Sequence, residues 1–515
     1  MFKIKATTSI FILFLCISGA WAQAEKTPLT LDDCIVKAVD NNLGVAVEVL
    51  NPELAGFSVL RAKEIFIPSL SFGYSTQNTN TPSFSWIEAA DNVATDYIDY
   101  SARLTQLIPT GGQVTASFYT YKNDTNLKFQ TINPRYGSTL TLNFTQPLLK
   151  DFGLKMTRKE IIIAQNNRDI SENQFKSTLL ETVFNAEEAY WNLVYSIENL
   201  KVMQRSLDLA EKLLAKNQKE VEVGTLAEIE IVSAQAEVAT RKADILQAEA
   251  MVKNYEALLK TIINLTAEEL PPGSEVIPTD KPFFQRREIS LEEALKKAMD
   301  NRPDLQSYRI DLDSKNLEVS YAKNQLLPDL SFQAAYWSPG ISGTQILYLD
   351  DNPLSEVVIG EIEGKAGDAI SDAMNFKHKN WAVGLTLSIP MNTLLSRAQY
   401  AQARVSLDQT SLKIKNQEQQ IYLEVQNAVR AVETDYLRVQ AYEAARALAE
   451  KKLEAEEKKL LVGLTTNYLV LQYQRDLANA QGAELRAVID YNLSLARLEK
   501  AMGTTLTTRN IKLTD

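Results

Sequence analysis

Apolar side chains recur along this chain at two different periods. Leu179, Ala186, Leu193, Leu200, Leu207, Leu214 and Val221 stand seven residues apart, the spacing of a helix packed along a seam. Val425, Val432 and Val439, then Leu453 and Leu460, form a second such series, broken at Arg446. Neither glycine nor proline occurs from Leu154 to Val223 or from Met391 to Val462. Each run then ends in the same Val-Gly pair, within "EVGTLAEIEIVSAQ" (222–235) and "LVGLTTNYLVLQYQ" (461–474). The first run, as one helix over 155–222, would reach roughly 100 Å at about 1.5 Å per residue. Helices over 225–265 and 464–502 can fold back along the two runs. Gly224 and Gly463 then take the left-handed conformation that ends a helix, so the pattern predicts two very long helical hairpins.

Other segments alternate with period two. In "NWAVGLTLSIP", Trp381, Val383, Leu385, Leu387 and Ile389 point one way, and Ala382, Gly384, Thr386 and Ser388 the other. Leu140, Leu142 and Phe144 alternate with Thr139, Thr141 and Asn143; Leu70, Phe72 and Tyr74 alternate in the same way in the first half, and Leu330, Phe332 and Tyr336 in the second. Strands of this kind sit half-buried in a soluble sheet or face lipid in a closed barrel. No apolar helical layer adjoins them in sequence, which favours the barrel. Trp337, Trp381, Tyr100, Tyr119 and Tyr121 suit its interfacial belts or ordinary strand packing. Gln165, Asn166 and Arg168 are candidates to line water.

The chain is a tandem duplication. "LTLDDCIVKAVDNN" (29–42) is answered by "ISLEEALKKAMDNR" (289–302), and "RAKEIFIPSLSF" (61–72) by "YAKNQLLPDLSF" (321–332). "FTQPLL" (144–149) finds a weaker echo in "LSIPMN" (387–392). The expected organisation is a leader at 1–22, a first repeat at 23–270, a linker at 271–288, a second repeat at 289–506 and a tail at 507–515. "PPGSEVIPTDKP" (271–282) gives the linker its proline-rich character.

Charge and rare residues narrow the function. A net charge of −11 argues against a nucleic-acid partner. Lys3 and Lys5, the apolar run Ile10–Ile17 and the Ala20-Trp21-Ala22 cleavage site predict a secretory signal, too short to span a bilayer. Cys16 lies inside that leader after Leu15, whereas lipid attachment needs a small residue before the cysteine. Cys34 is then alone, so no intrachain disulfide is expected, and it reads as a small buried side chain. His378, the only histidine, argues against a histidine metal site or a Ser-His-Asp triad. Glu187-Glu188 reads as a solvated helix face. No enzyme, cofactor or metal is expected.

In the order of these features, duplicated, the chain resembles the outer-membrane efflux proteins, the TolC-like channels. The matching residues are the leader, the paired "IPSLSF" and "LPDLSF" strand starts, the long helices and the two Val-Gly tips. The resemblance covers about residues 30–506. It implies a mainly α fold with a transmembrane β-barrel. Duplicated β-hairpin plus long helical hairpin units would build a trimeric α/β-barrel channel-tunnel, with four strands per chain. The implied setting is the cell outer membrane, extending into the periplasm. The implied partners are two further copies in a homotrimer, outer-membrane lipid, a periplasmic adaptor (membrane-fusion) protein and an inner-membrane transporter. The implied role is passive export of small molecules or proteins in a tripartite efflux or type I secretion system. Adaptor docking falls to the tips, Val223, Gly224, Thr225, Val462, Gly463 and Leu464. The chain departs from the family in two places. "RLTQLIPTGGQVTASFYTYK" (103–122) reads as an additional hairpin, which would give six strands. The positions beyond the second tip that carry acidic gate residues in related channels are Leu469 and Gln472 here, with Glu228 and Glu230 beyond the first tip. The rival reading is an exported coiled-coil scaffold without a pore, which explains the heptads but not the alternating strands.

Overall fold

A computed structural model describes residues 26–85, 88, 91–265 and 274–511. The leader at 1–22, the start of the linker and the end of the tail lie outside the described residues. Along the chain, β1 (Lys26–Leu29) precedes α1 (Leu31–Asn41), α2 (Leu43–Glu48) and α3 (Leu50–Lys63). Four strands follow: β2 (Ser69–Pro82), β3 (Asn92–Leu107), β4 (Gln113–Thr125) and β5 (Ile132–Pro147). A single turn, α4 (Leu154–Thr157), leads to α5 (Lys159–Glu222), α6 (Ile229–Ile263) and β6 (Glu275–Pro278). Then come α7 (Leu291–Asn301), α8 (Pro303–Asn324), β7 (Asp329–Tyr348), β8 (Val358–Ile362), α9 (Ala366–Met374) and β9 (Asn380–Ser388). The chain closes with α10 (Leu394–Leu461), α11 (Asn467–Ala501) and α12 (Thr505–Thr508). The long helices were expected at nearly these bounds; α4 splits off at Arg158.

Two compact units cut across the repeats. One takes the chain up to Ala46, Thr178–Asn301 and Tyr422 onwards; the other takes Val47–Ser177 and Arg302–Ile421. Each unit therefore contains parts of both repeats; three divisions fall within α2, α5 and α10, and the fourth between α7 and α8.

The first unit is helical. Its α1 begins in a capping box: Thr30 Oγ1 accepts from the Asp33 N–H at 3.1 Å, and Asp33 accepts from the Thr30 N–H at 3.1 Å. That hydrogen bonding from Thr30 holds the Asp33 carboxyl below its ordinary pKa. Cys34, Ile35 and Ala38 of α1 pack on Val183, Ala186 and Tyr190 of α5, Leu259 and Ile263 of α6, and Ile489 and Leu493 of α11. A second cluster joins Ala210 and Leu213 of α5, Ala234 and Val238 of α6, Leu453 of α10, and Val470 and Leu471 of α11. The heptad residues Leu179, Ala186, Leu193, Val425, Val432 and Val439 are buried, as their spacing requires. Each large aliphatic side chain so buried stabilises the bundle by about 1.5–3 kcal/mol. The linker is not featureless: β6 pairs with β1 in parallel, Thr27 opposite Val276.

Glu187 corrects the reading of a solvated face. It is buried, and Arg509 Nε donates to its carboxylate at 2.8 Å. Burial raises its pKa and Arg509 opposes that rise.

The second unit is built on an antiparallel sheet in the order β2-β3-β4-β5-β7-β8, with β9 also paired to β7. Six of these strands are long, nine residues or more. The sheet thus exceeds the four strands the family resemblance implies, because the 108–112 turn adds the β3–β4 hairpin. Beside it, Asn166 of α5 donates to Ser314 Oγ of α8 at 2.9 Å. That side chain fixes a helix contact instead of lining water.

Candidate channel wall and hairpin tips

Register alone sorts the wall residues. Leu70 pairs with Leu104, Leu104 with Ala116, Ala116 with Leu142, Leu142 with Tyr336 and Tyr336 with Trp381. Directly paired residues share a face, so one apolar row crosses all six long strands. The next row reads Ser69, Thr105, Thr115, Asn143, Ala335 and Ala382, small or polar and on the opposite face. Leu70, Phe72, Tyr74, Tyr100, Leu104, Trp381, Val383, Leu385 and Leu387 are all exposed. An exposed apolar band backed by a polar face is the pattern of a lipid-facing wall around water.

The pairing also corrects the expected aromatic belt. Tyr100 and Trp381 stand on the apolar face, but Tyr119, Tyr121 and Trp337 fall on the polar one. There Tyr97 and Tyr119 share a hydroxyl hydrogen bond of 2.7 Å, and Tyr97 stacks on Tyr121 with centroids 5.3 Å apart. The Arg135 guanidinium lies 5.8 Å from the Tyr121 ring centroid. Sequence alternation marked these positions as strand; only the register shows which face they take.

The hairpin tips end their long helices in the same way. The Gly224 N–H donates to the Val221 carbonyl at 2.9 Å, and the Thr225 N–H to the Glu220 carbonyl at 2.9 Å. The Gly463 N–H donates to Leu460 at 3.1 Å and the Leu464 N–H to Lys459 at 3.0 Å. This crossed pair of bonds is the Schellman ending. It needs positive φ at its centre, and Gly224 and Gly463 sit at 79° and 77°. Val223, Thr225, Val462 and Leu464 flank them, with Val223, Val462 and Leu464 exposed.

Glu228 is exposed at the start of α6, whereas Glu230 is half-buried. Glu230 Oε2 has no hydrogen-bond partner among the described residues. Leu469 and Gln472 are half-buried on α11, while Val470, Leu471 and Gln474 face the core. Asp476, which sequence reasoning passed over, is exposed and stands four residues beyond Gln472, on the same helical face. Two buried polar residues were also missed. Asn217 and Glu456 each lie seven residues before a tip glycine, at equivalent seam positions, and both are buried. Glu456 accepts from Thr465 Oγ1 at 2.5 Å and from Lys459 Nζ at 3.1 Å. Those two bonds hold its carboxyl below the ordinary glutamate range.

The family model for outer membrane efflux proteins matches residues 35–265 and 294–504, more than half the chain. The chain belongs to that family. As an outer membrane efflux protein it lies in the outer membrane and extends into the periplasm. It is 23% identical over 440 residues to the outer membrane protein TolC of Vibrio cholerae, covering 81% of this chain and 91% of that one. The fold is similar to that of the Campylobacter jejuni CmeC outer membrane channel, with a TM-score of 0.63 and 17% identity over 92% of this chain and 85% of the other. It is likewise similar to the Vibrio cholerae outer membrane protein VceC, with a TM-score of 0.62 and 16% identity over 92% and 96% of the two chains.

Proposed function

We propose that this outer membrane efflux protein is a homotrimeric, passive export duct fed by an inner-membrane transporter through a periplasmic adaptor. The observation that carries the reading is the two-faced wall. A row that is apolar across six strands, backed by a row of serine, threonine, asparagine and alanine, is suited to lipid on one side and water on the other. Such a sheet has no use in a pore-free coiled-coil scaffold.

A lone chain is also incomplete. Leu50, Leu54, Phe57 and Leu60 are exposed along one side of α3, an apolar stripe that calls for a covering partner. Further copies supply that cover. The tips at Val223-Gly224-Thr225 and Val462-Gly463-Leu464 are the docking points for the adaptor, because they end the long hairpins and present apolar side chains to water. Glu228, Glu230, Leu469 and Gln472 lie just beyond them and form the periplasmic gate. Cargo identity is left to the transporter.

Reconstitution in planar bilayers tests the reading together with mass measurement in detergent. A trimeric mass and discrete conductance steps are expected, with adaptor cross-linking to cysteines placed at Val223 or Val462. A monomer, or a trimer without conductance under any gate substitution, would favour the scaffold.

A further inference from the structure

One short helix lies against the sheet on a side that register decides. Between β7 and β9 the chain forms α9, whose Ala366, Ala369, Ile370, Ala373 and Met374 recur at the spacing of a single apolar face. Asp368, Ser371 and Asp372 fall on the other side. Ala369 and Ala373 are buried, whereas Ile370 and Met374 are exposed. The buried pair is seated on β7: a Cβ added to Gly340 would collide with the Ala369 carbonyl oxygen and crowd the Ala373 N–H. The Ser338 hydroxyl donates to the Asp372 carbonyl at 3.5 Å. Just past the helix, the Phe376 ring packs on Tyr336 with centroids 5.3 Å apart.

Tyr336, Ser338 and Gly340 stand two residues apart, so they share one face of β7. Tyr336 belongs to the apolar row that runs from Leu70 to Trp381. The helix therefore covers the face assigned to lipid, and leaves the polar face open. Its level follows from the same pairing. Gly340 closes the cross-strand row Tyr74, Tyr100, Thr120, Ser138, Gly340. On β2 and β3 that row presents exposed tyrosine rings, but on β5 and β7 it presents small residues, and Ser138 and Gly340 are buried. Thus α9 stands where the aromatic belt is interrupted. This is the end of the sheet away from the long helices, since β7 leaves α8 at Asp329 and β9 leads into α10 beyond Ser388. In an outer membrane protein that extends into the periplasm, that end faces the cell exterior.

We propose that α9 is an interfacial helix, lying at the headgroup boundary of the outer leaflet and completing the belt over β5 and β7, with Ile370 and Met374 against lipid. The proposal rests on the lipid-facing assignment of the apolar row and goes beyond it. Lipid is the occupant because the exposed face of α9 continues that row. From Met374 the chain passes through Lys377, His378 and Lys379, all exposed, to the exposed Trp381 at the rim of the band. Long cations beside an indole suit the headgroup level. Lys377 is paired with Asp372 at 2.8 Å, so apolar burial, more than net charge, draws the helix to the membrane.

Nitroxide labels on protein reconstituted into phosphatidylcholine vesicles test the placement. Separate chains carry Ile370→Cys, Met374→Cys, Ser371→Cys on the polar side of α9, or Leu385→Cys in the apolar band. The native Cys34 is buried and does not compete for the label. Labels at Ile370 and Met374 should respond to oxygen several-fold more than to a water-soluble nickel chelate, as at Leu385, and the label at Ser371 should reverse that ratio. Adding Gly340→Ala to the Met374→Cys chain should push α9 off its strand and shift that label towards the chelate. The same addition should leave the Leu385 label in lipid. Chelate-accessible labels at Ile370 and Met374, beside an oxygen-accessible Leu385, would overturn the interfacial helix and leave the wall standing. Labels at Ile370 and Met374 shielded from both reagents would put protein over α9 and overturn the proposal equally. An unchanged Met374 label in the Gly340→Ala chain would overturn the seat on β7. A chelate-accessible Leu385 would remove the lipid-facing reading itself.

Discussion

The guanidinium of Arg241 donates a hydrogen bond to the backbone carbonyl of Leu471 at 2.9 Å, joining α6 of the first repeat to α11 of the second across 230 residues. The same buried group donates to the Ser206 carbonyl at 2.5 Å, to Gln474 at 3.4 Å and to Glu237 at 3.1 Å. Burial pulls its pKa below the ordinary arginine value, and Glu237 opposes that pull. One side chain thus ties three helices together next to the cluster of Leu213, Val238 and Leu471.

Replacing Arg241 by alanine should destabilise the helical unit by about 3 kcal/mol, because Glu237 loses its buried counter-charge and a cavity opens. Lys242→Ala removes only an exposed pair with Glu211 at 3.1 Å, and should cost less than about 1 kcal/mol. Thermal unfolding of the detergent-solubilised protein, followed by helical circular dichroism, reads both. Equal midpoints for the two variants would show that Arg241 does not staple the hairpins.

The tip glycines allow a cleaner test, since nothing lies within 4 Å of a Cβ built on Gly224 or Gly463. Substitution there costs backbone strain alone, roughly 1–2 kcal/mol for each valine. The double variant Gly224→Val with Gly463→Val should still assemble and reach the outer membrane, yet fail to export and fail to cross-link the adaptor. Normal transport by this variant would remove the docking role from the tips.

The parts of this fold legible in the sequence are those written in local periods. Leu179, Ala186 and Leu193 announce their helix because one face must be apolar at every second turn. Gly224 and Gly463 announce the tips because a Schellman ending tolerates little else. Trp381, Val383 and Leu385 announce their strand and its two faces. What escaped notice depends on partners far away in the chain. Arg241 and Glu187 look like ordinary charged helix residues until Leu471 and Arg509 arrive beside them, 230 and 322 residues on. Tyr119 and Tyr121 could be placed on a strand, but the face they take is decided by cross-strand register. The linker strand β6 was hidden because its four residues bind a strand 249 positions earlier, Glu275 against Lys26.

Glu456 gives the tips a dependence on acid. Its folded pKa is depressed by hydrogen bonds from Thr465 and Lys459, starting from an ordinary value of 4.5. A depressed carboxylate adds stability that is fully present above that ordinary value and is lost as pH falls through the folded pKa. Below pH 4.5 the second hairpin should therefore loosen at its tip first, seen as faster hydrogen exchange around Thr465 than around Ile489. Glu456→Gln should flatten this acid dependence while changing little at neutral pH. An unchanged exchange profile in the glutamine variant would assign the acid response to other carboxyls.

The gate prediction turns on which residues meet at the periplasmic mouth. If an acidic ring forms there from the tip-proximal residues, Glu228 and Glu230 must supply it, because Leu469 and Gln472 carry no charge. Three copies would place six carboxylates around a narrow aqueous mouth, attracting cations over about 10 Å at 0.1 M salt. Glu228→Gln with Glu230→Gln should then lower cation preference in planar-bilayer recordings, and high salt should shrink the difference. The competing arrangement is steric closure at Leu469. Its half-buried side chain is one helical turn from Gln472 on the same face of α11, so trimming it would widen the mouth without altering charge. Leu469→Ala should then raise resting conductance while the glutamine pair leaves selectivity unchanged. Asp476 separates a third case, since it carries the only carboxylate on that face within two turns of Leu469. Loss of selectivity in Asp476→Asn, with none in the glutamine pair, would move the ring from the first hairpin to the second.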